Sequence, residues 1–499
     1  MSLLWQRRLI ASGALILALV CGFSIAQEDY LLAGLLMALA AMAATWRLSG
    51  LSPDVFFAGL ILFGYLAGNR GFAQLQPPGV PLLPAEAGLA LGGVFLVLRC
   101  VQTRTLPFRR QALDLILVAW IAIGAIRFAI DFRTYAFTAL RDFAMVYYAV
   151  FFLLGRQWGS DPAARRWLLG WLLAGVVVML PLWTAFTQAP DFFITSTALN
   201  GIPLIYYKGD VAAALMAAAA AALTARAAMT GGMTVAMLAA AASALAALSN
   251  SRAALVALAA GGLWALAVRH WRFVRFQAAL ALAAVAGLGA WAVVASGPFH
   301  ESRLYLLYES VASIADPSGE RDYQSQDLQD KPDNNRFRSV WWQQVAGQTL
   351  AEGPWLGLGF GYDLADEFTR VYFAESTEEF TARSPHNFLL TVFARMGVVG
   401  LLPLVAFLGF LAIRTWRSGR LAAFGDEGGR DFGLWLGAWV ILVAACFGVV
   451  LEGPMGAVVF WTILGLASGA EDQPVASNEA ETVAHLPAAG DAAEVRPAS

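Results

Sequence analysis

Charge is scarce in this chain. Of its 499 residues only 14% are Asp, Glu, Lys or Arg, against 59% hydrophobic, and the mean hydropathy is +0.63. That balance excludes the string of soluble domains that length alone suggests. Apolar runs of about 15–22 residues recur instead, the length needed to cross a bilayer core. Cysteine is also rare. Cys21, Cys100 and Cys446 each lie in or beside an apolar run, which excludes a disulfide framework and a thiolate metal site. The four histidines are too dispersed for a metal site, and no paired His or Asp-X-Asp pattern is present. No internal repeat is visible, which weighs against transporters built from repeated halves. Charge is sparse at the span centres, with Arg127 toward one helix end, so no intramembrane proton relay is evident. The net charge of −2 says little about partners, because the two signs are segregated by location, and nothing suggests nucleic acid.

What is present reads as an all-α polytopic membrane protein. About fourteen spans are expected, near 9–26, 31–46, 54–68, 85–101, 112–130, 143–155, 168–185, 210–228, 232–248, 253–268, 278–297, 388–412, 432–452 and 454–468. The basic start and apolar run of 1–27 lack a convincing cleavage site and read as the first of these. Arginines cluster at 99–110, 156–166, 269–275 and 414–430, which share one parity with Arg7 and Arg8. The positive-inside rule therefore makes both termini cytoplasmic and puts the loop 298–387 outside. Beyond Ala470 the composition of Ala, Glu, Asp and Pro without aromatics predicts a disordered tail over 470–499.

Polar chemistry collects on the outer side. The connection from Asp131 to Asp142, with Arg133 and Arg141 among aromatics, reads as an interfacial segment. The one from 185 to 210, with Tyr206, Tyr207 and Lys208, reads as an aromatic anchor at the headgroups. The alanine-rich run 211–260 allows close helix packing and breaks at Leu248-Ser249-Asn250-Ser251-Arg252, where Arg252 reaches lipid phosphates or a cavity. In the long loop an acidic segment (Glu320, Asp322, Asp327, Asp330, Asp333) reads as solvated charge. It gives way to Asn-Asn-Arg336-Phe-Arg338. Trp341, Val345 and Leu350 then predict an amphipathic helix over 338–352, stopped by Gly353-Pro354, with Arg338 and Trp342 on one face. Gly357, Gly359 and Gly361 form a tight turn with close backbone approach rather than a nucleotide loop. His386, after Pro385 at the mouth of an outward-facing helix end, is the one placed to accept a proton near neutral pH.

These pieces together resemble the O-antigen ligase and polymerase family of bacterial integral-membrane glycosyltransferases, the Wzy-C type. The matching positions run from about 236 to 408: Ser251-Arg252 at an outer helix end, Arg338 followed by Trp342, the Pro354-Trp355-Leu356-Gly357-Leu358-Gly359 turn, and His386-Asn387 ahead of Gly397 and Gly400. The resemblance implies about 12 to 14 membrane helices with a large helical periplasmic loop, similar to GT-C enzymes. It divides the chain into N-terminal helices 1–235, a catalytic region 236–408, C-terminal helices 409–469 and the tail. It further implies a bacterial inner-membrane enzyme that takes a glycan from an undecaprenyl-diphosphate carrier to an acceptor hydroxyl, inverting, without metal or cofactor. Arg252, Arg338 and His386 are then the catalytic candidates, and Ser251, Arg336, Trp342, Arg383, Asn387 and Arg141 the substrate-binding ones. Arg336 competes with Arg338 for the loop-arginine role, the spacing to Trp342 favouring Arg338. The acceptor stays open between lipid A core, a growing glycan and a protein, with membrane lipids as surroundings. Outside the family, a lipid-linked glycan transporter is the competing class; it would line a central pathway with polar residues, whereas here they gather at one face.

Overall fold

The computed structural model describes residues 30–76, 82–104, 111–199, 201–249, 251–294, 326–372 and 383–471, with 26, 305, 308, 309 and 312. The expected span 9–26 lies almost wholly outside the described residues, as do His300, Glu320, Asp322, the tail beyond 471 and the side chain of Arg336.

The described residues are almost entirely helical. In chain order the principal helices are α1 (Tyr30–Ser49), α2 (Pro53–Ala67), α3 (Pro84–Thr103), α4 (Ala112–Tyr135), α5 (Phe137–Tyr147), α6 (Val150–Gly159), α7 (Pro162–Gln188), α8 (Gly209–Thr230), α9 (Met233–Leu248), α10 (Arg252–Ala267), α11 (Trp271–Val294), α12 (Gln326–Glu352), α13 (Phe388–Ala423), α14 (Phe432–Ala445) and α15 (Pro454–Ala470). The one sheet among the described residues is a two-stranded ribbon, Ala198–Leu199 with Ile202–Pro203, in the connection before α8. Among the described residues six segments are long and apolar enough to cross a membrane and five shorter helices are apolar. The protein is a multi-pass membrane protein.

Small residues set the packing. α8 is the most enclosed of the long spans, 78% of its most apolar stretch being buried. Its alanines let α9, α10 and α14 approach closely. α6 and α15 cross through paired small-residue motifs, Gly155/Gly159 against Gly465/Gly469. A Cβ at Gly155 or Gly159 would stand 2.7 Å from a carbonyl oxygen of α15. At the arginine-bearing face, ion pairs join helix ends: Arg99 to Asp54 at 3.0 Å, Arg165 to Asp431, Arg156 to Asp114 and Arg414 to Glu471.

Four expectations gain detail from the structure. The expected 143–155 span falls within one candidate crossing, Phe137–Gly159, that is broken into α5 and α6; the turn between them places the hydroxyls of Tyr147 and Tyr148 to donate to Glu86 Oε1 at 2.8 and 2.7 Å. The 432–452 run leaves the helix after Ala445, and the turn 446–453 instead presents polar groups to the loop. The segment 131–142 is helical, continuing α4 and starting α5 around a kink at Ala136, because Asp131 and Asp142 are engaged by the loop's backbone. The connection before α8 is fixed to protein: the buried Tyr207 hydroxyl donates to the Ala67 carbonyl at 2.7 Å, and Phe186 packs on Tyr206 and Tyr207.

Candidate functional site

The site is built on a backbone interlock. α12 stops at Glu352, and Gly357, Gly359 and Gly361 all take positive φ (71°, 100° and 90°), as the expected tight turn requires. The turn docks into a break in α13. Gly397 has φ 62° and ψ −161°, so the helical hydrogen-bond ladder is interrupted there. Leu358 N donates to the Ala394 carbonyl at 2.7 Å, while Val398 N and Val399 N donate to the carbonyls of Pro354 and Trp355 at 2.9 and 3.1 Å. Turn and helix thus satisfy each other's backbone groups inside the fold.

Carboxylates on α4 and α5 secure the other side of the turn. Asp131 Oδ2 accepts from Phe360 N at 2.7 Å and from Arg127 Nε at 2.8 Å. Asp142 Oδ2 accepts from Gly361 N at 3.0 Å and pairs with Arg395 Nη2 at 2.8 Å. Arg395 is only 2% exposed and also donates to the carbonyls of Gly359, at 3.0 Å, and Tyr362. Above it a small second core gathers Trp341, Val345, Leu364, Phe368 and Ala394, which seats α12.

α12 in turn positions the histidine. Trp341 lies with its ring centroid 6.1 Å from that of His386, its indole donating to the Leu364 carbonyl at 3.0 Å. Trp342 donates to the Pro385 carbonyl at 2.5 Å, one residue before His386, and its ring faces Phe447. Arg338, one turn earlier, donates from Nη1 to the Phe447 carbonyl at 3.0 Å, so it and Trp342 share a face as their spacing predicts. His386 has φ 56°, an uncommon angle for a side-chain-bearing residue, and Asn387 follows as N-cap of α13, its Oδ1 accepting from Leu390 N at 3.2 Å.

His386 faces a cavity of about 290 Å³, lined also by Arg141, Arg383 and Arg395, by Asp142 and Glu452, and by Ser384, Thr391, Met145 and Val449. Arg383 donates to the Gly361 carbonyl at 2.8 Å and to Asp363 at 3.3 Å; Arg141 is mostly exposed and stands 3.6 Å from Asp142. Glu452 Oε1 accepts from the Thr391 hydroxyl at 3.1 Å. Burial pushes the Glu452 carboxyl above its ordinary range, opposed by Ser384, Thr391, Arg395 and Lys208. His386 moves the other way. Burial first, then the charges of Arg338 and Lys208, lower it to about 4 against the pull of Asp210. The imidazole is therefore neutral at neutral pH.

Of the residues singled out from the sequence, His386, Arg383 and Arg141 line one cavity. Arg338 and Trp342 flank it through Phe447 and Pro385. Asn387 and Ser251 are helix caps: Ser251 accepts from Ala254 N at 3.3 Å at the start of α10. Arg252 is the first residue of α10, which packs on α14 just before the turn that carries Phe447 and Glu452. Sequence reasoning missed Asp142, Arg395, Thr391, Glu452 and Asp210. Arg395 was the most findable, as a lone charge inside an apolar helix. Among the described residues no group of three or more His, Cys, Asp or Glu side chains stands close enough to hold a metal ion.

These features define a class: an all-α, multi-pass membrane protein whose polar helix α12 and broken helix α13 enclose a histidine and arginine cavity. Residues 236–405 match the Wzy_C family, described as O-antigen ligase, and the resemblance drawn from the motifs is borne out over that stretch. The match takes in α9 through α12, the glycine turn and the interlocked first part of α13. A search of curated proteins gives no match.

Proposed function

We propose that the protein is an inner-membrane glycosyltransferase. It moves a glycan from an undecaprenyl-diphosphate-linked donor to an acceptor hydroxyl at the periplasmic face, the side for His386 that the arginine distribution favours. The observation that carries this is the neutral His386 at the mouth of a cavity rich in arginine, inside the segment matched to the O-antigen ligase family.

The chemistry is a single displacement. The acceptor oxygen attacks the anomeric carbon from the side opposite the diphosphate. The new carbon–oxygen bond forms as the bond to the phosphate oxygen breaks, the electron pair leaves on undecaprenyl diphosphate, and the anomeric configuration inverts. His386 takes the hydroxyl proton. Arg338 and Arg252 stabilise the charge that grows on the leaving group, each presenting a planar fork suited to phosphate. Permanent cations supply what a divalent metal supplies in other transferases, so the reaction proceeds in chelator. Arg336, Asn387, Ser251, Trp342, Arg383 and Arg141 complete the substrate-binding surface.

The test is transfer by the purified protein from a defined undecaprenyl-diphosphate oligosaccharide. Lengthened lipid-linked chains identify a polymerase, and label on lipid A core a ligase. His386→Ala should lose roughly 10²–10⁴-fold in kcat; full turnover in that variant would refute the base assignment. Loss of activity in chelator, restored by calcium, would refute the metal-free mechanism.

A further inference from the structure

A second cavity lies among the spans and shares no residue with the one at His386. α7, α8 and α14, with two residues of α15 and Leu66 of α2, wall a slot of about 160 Å³ lined only by Leu, Ile, Val, Ala and Gly. Its floor, including Leu215, Gly437 and Ile441, is buried, whereas Leu169 and Ala219 are half-buried and Leu173 is 43% exposed. The slot therefore opens sideways, where a membrane protein meets lipid. Along α8 it runs from Leu215 to Leu223. At about 1.5 Å per residue that is about 12 Å, within one leaflet's share of a bilayer core about 30 Å thick.

The three main walls end together. Arg165 precedes Leu169 by one turn of α7, Arg226 follows Leu223 on α8, and Arg430 and Asp431 stand just before Gly433 of α14. Arg165 Nη2 pairs with Asp431, and the charges of Arg226 and Arg430 act on the same carboxylate. Three guanidinium groups thus converge on Asp431 at the mouth of the slot. The carboxylates next in sequence serve as local caps: Asp161 accepts from Ala163 N at 2.9 Å and Asp426 from Gly428 N at 2.7 Å. Arg165 Nε–H is buried without a hydrogen-bond partner among the described residues, and Arg226 is exposed. Each guanidinium carries five N–H donors, so Arg165 and Arg226 keep donors for a further anion. α8 and α14 meet the His386 region at their other ends, through Asp210 and the turn 446–453. The mouth is therefore on the opposite side, which the arginine distribution favours as cytoplasmic.

We infer that this slot and its arginines form a binding site for an anionic phospholipid of the leaflet opposite His386, one acyl chain lying between α7, α8 and α14 and the phosphate resting on Arg165 and Arg226. The site is separate from the transfer reaction and stands independently of it. The apolar slot fixes where the chain lies, and the arginines supply the preference, because a guanidinium fork matches phosphate oxygens. A zwitterionic headgroup would bring its own cation against three arginines, whereas an anionic one adds no repulsion. Basic pockets between membrane helices on the cytoplasmic side hold anionic headgroups by the same physics.

Native mass spectrometry of the purified full-length protein in detergent reads the binding of three probes: dioleoyl phosphatidylglycerol, dioleoyl phosphatidylcholine and glycerol 3-phosphate. The wild type should hold phosphatidylglycerol at least about fivefold more tightly than phosphatidylcholine, and glycerol 3-phosphate far more weakly than either. Arg226→Gln should weaken phosphatidylglycerol about fivefold and leave phosphatidylcholine within about twofold, and Arg226→Lys, which keeps the charge, should recover most of the loss. Ala219→Phe fills the slot and should weaken both lipids about tenfold. Equal affinity for the two lipids in the wild type, or an unchanged preference in Arg226→Gln, overturns the role of the arginines. Undiminished lipid binding in Ala219→Phe overturns the slot. Glycerol 3-phosphate held as tightly as phosphatidylglycerol means a free-anion site and overturns the lipid. Thermal melting shows whether each variant is folded, and where one is not, the comparison of the three probes on the wild type decides.

Discussion

The pH dependence of transfer should place His386 at an unusual value. Its proton affinity is held at about 4 by burial and then by Arg338 and Lys208, with Asp210 opposing. A histidine in water titrates near 6.5, so the displacement favours the neutral imidazole by about 3 kcal/mol at roughly 1.4 kcal/mol per pH unit. The direction matters: a base works only when unprotonated, so activity disappears as pH falls through its pKa. In the free enzyme kcat/KM should therefore stay level from pH 7 to about 5 and halve near pH 4. If a diphosphate binds at Arg338, as proposed, its charge offsets that cation and the imidazole becomes more basic. The acid limb of kcat, which reports the complex, should then lie above that of kcat/KM. The assay is initial-rate transfer across pH 3.5–8, with samples returned to pH 7 to show that the fold survives. In Arg338→Gln the free-enzyme value should rise by on the order of one unit, read from labelled histidine resonances; with four histidines in the chain, single substitutions assign them. A kcat/KM limb between 6 and 7, or a kcat limb below it, would refute the placement of the imidazole against these cations.

Other substitutions probe the scaffold. Gly357→Ala puts a Cβ 2.5 Å from backbone atoms of Arg395 and Met396 at φ 71°, so the turn must lift from α13. A loss of about 2–4 kcal/mol in stability is expected with loss of transfer, measured by melting in detergent, and an unaltered melting curve would disprove the interlock. Asp142→Asn strips the partner from a buried guanidinium and should cost about 3–5 kcal/mol; adding Arg395→Met should recover part of it, and strict additivity would deny the coupling. Trp342→Phe removes the donor to the Pro385 carbonyl and should lower kcat up to about tenfold with little change in melting temperature. An undiminished kcat there would mean that His386 is oriented by other contacts.

Much of the frame was legible from local pattern. The run 210–228 became Gly209–Thr230 and 232–248 became Met233–Leu248, because apolar length and glycine breaks act within a few residues. The stop at Gly353-Pro354 and the shared face of Arg338 and Trp342 follow from the same local rules. The acidic half of the site was not legible. Asp142 and Gly361 meet across 219 residues, and no periodicity encodes such a pairing. Glu452 sat hidden in a run apolar enough to pass as the end of a span, and Asp210 looked like an ordinary first-turn carboxylate. Lys208 passed as an anchor among aromatics because composition does not reveal the turn it faces.

The interlock at Gly397 also governs the order in which the protein can be made. The cavity takes Asp142 from the first third of the chain, His386 and Arg395 from the loop and the broken span, and Glu452 from near the last helix. A nascent chain that has inserted α1 through α12 holds no completed site, since the turn has no partner until α13 arrives and the cavity has no Glu452 until the final turn emerges. Synthesis therefore withholds the completed cavity until Glu452 has emerged, and a ribosome that stalls or terminates before it leaves a set of helices without the assembled site.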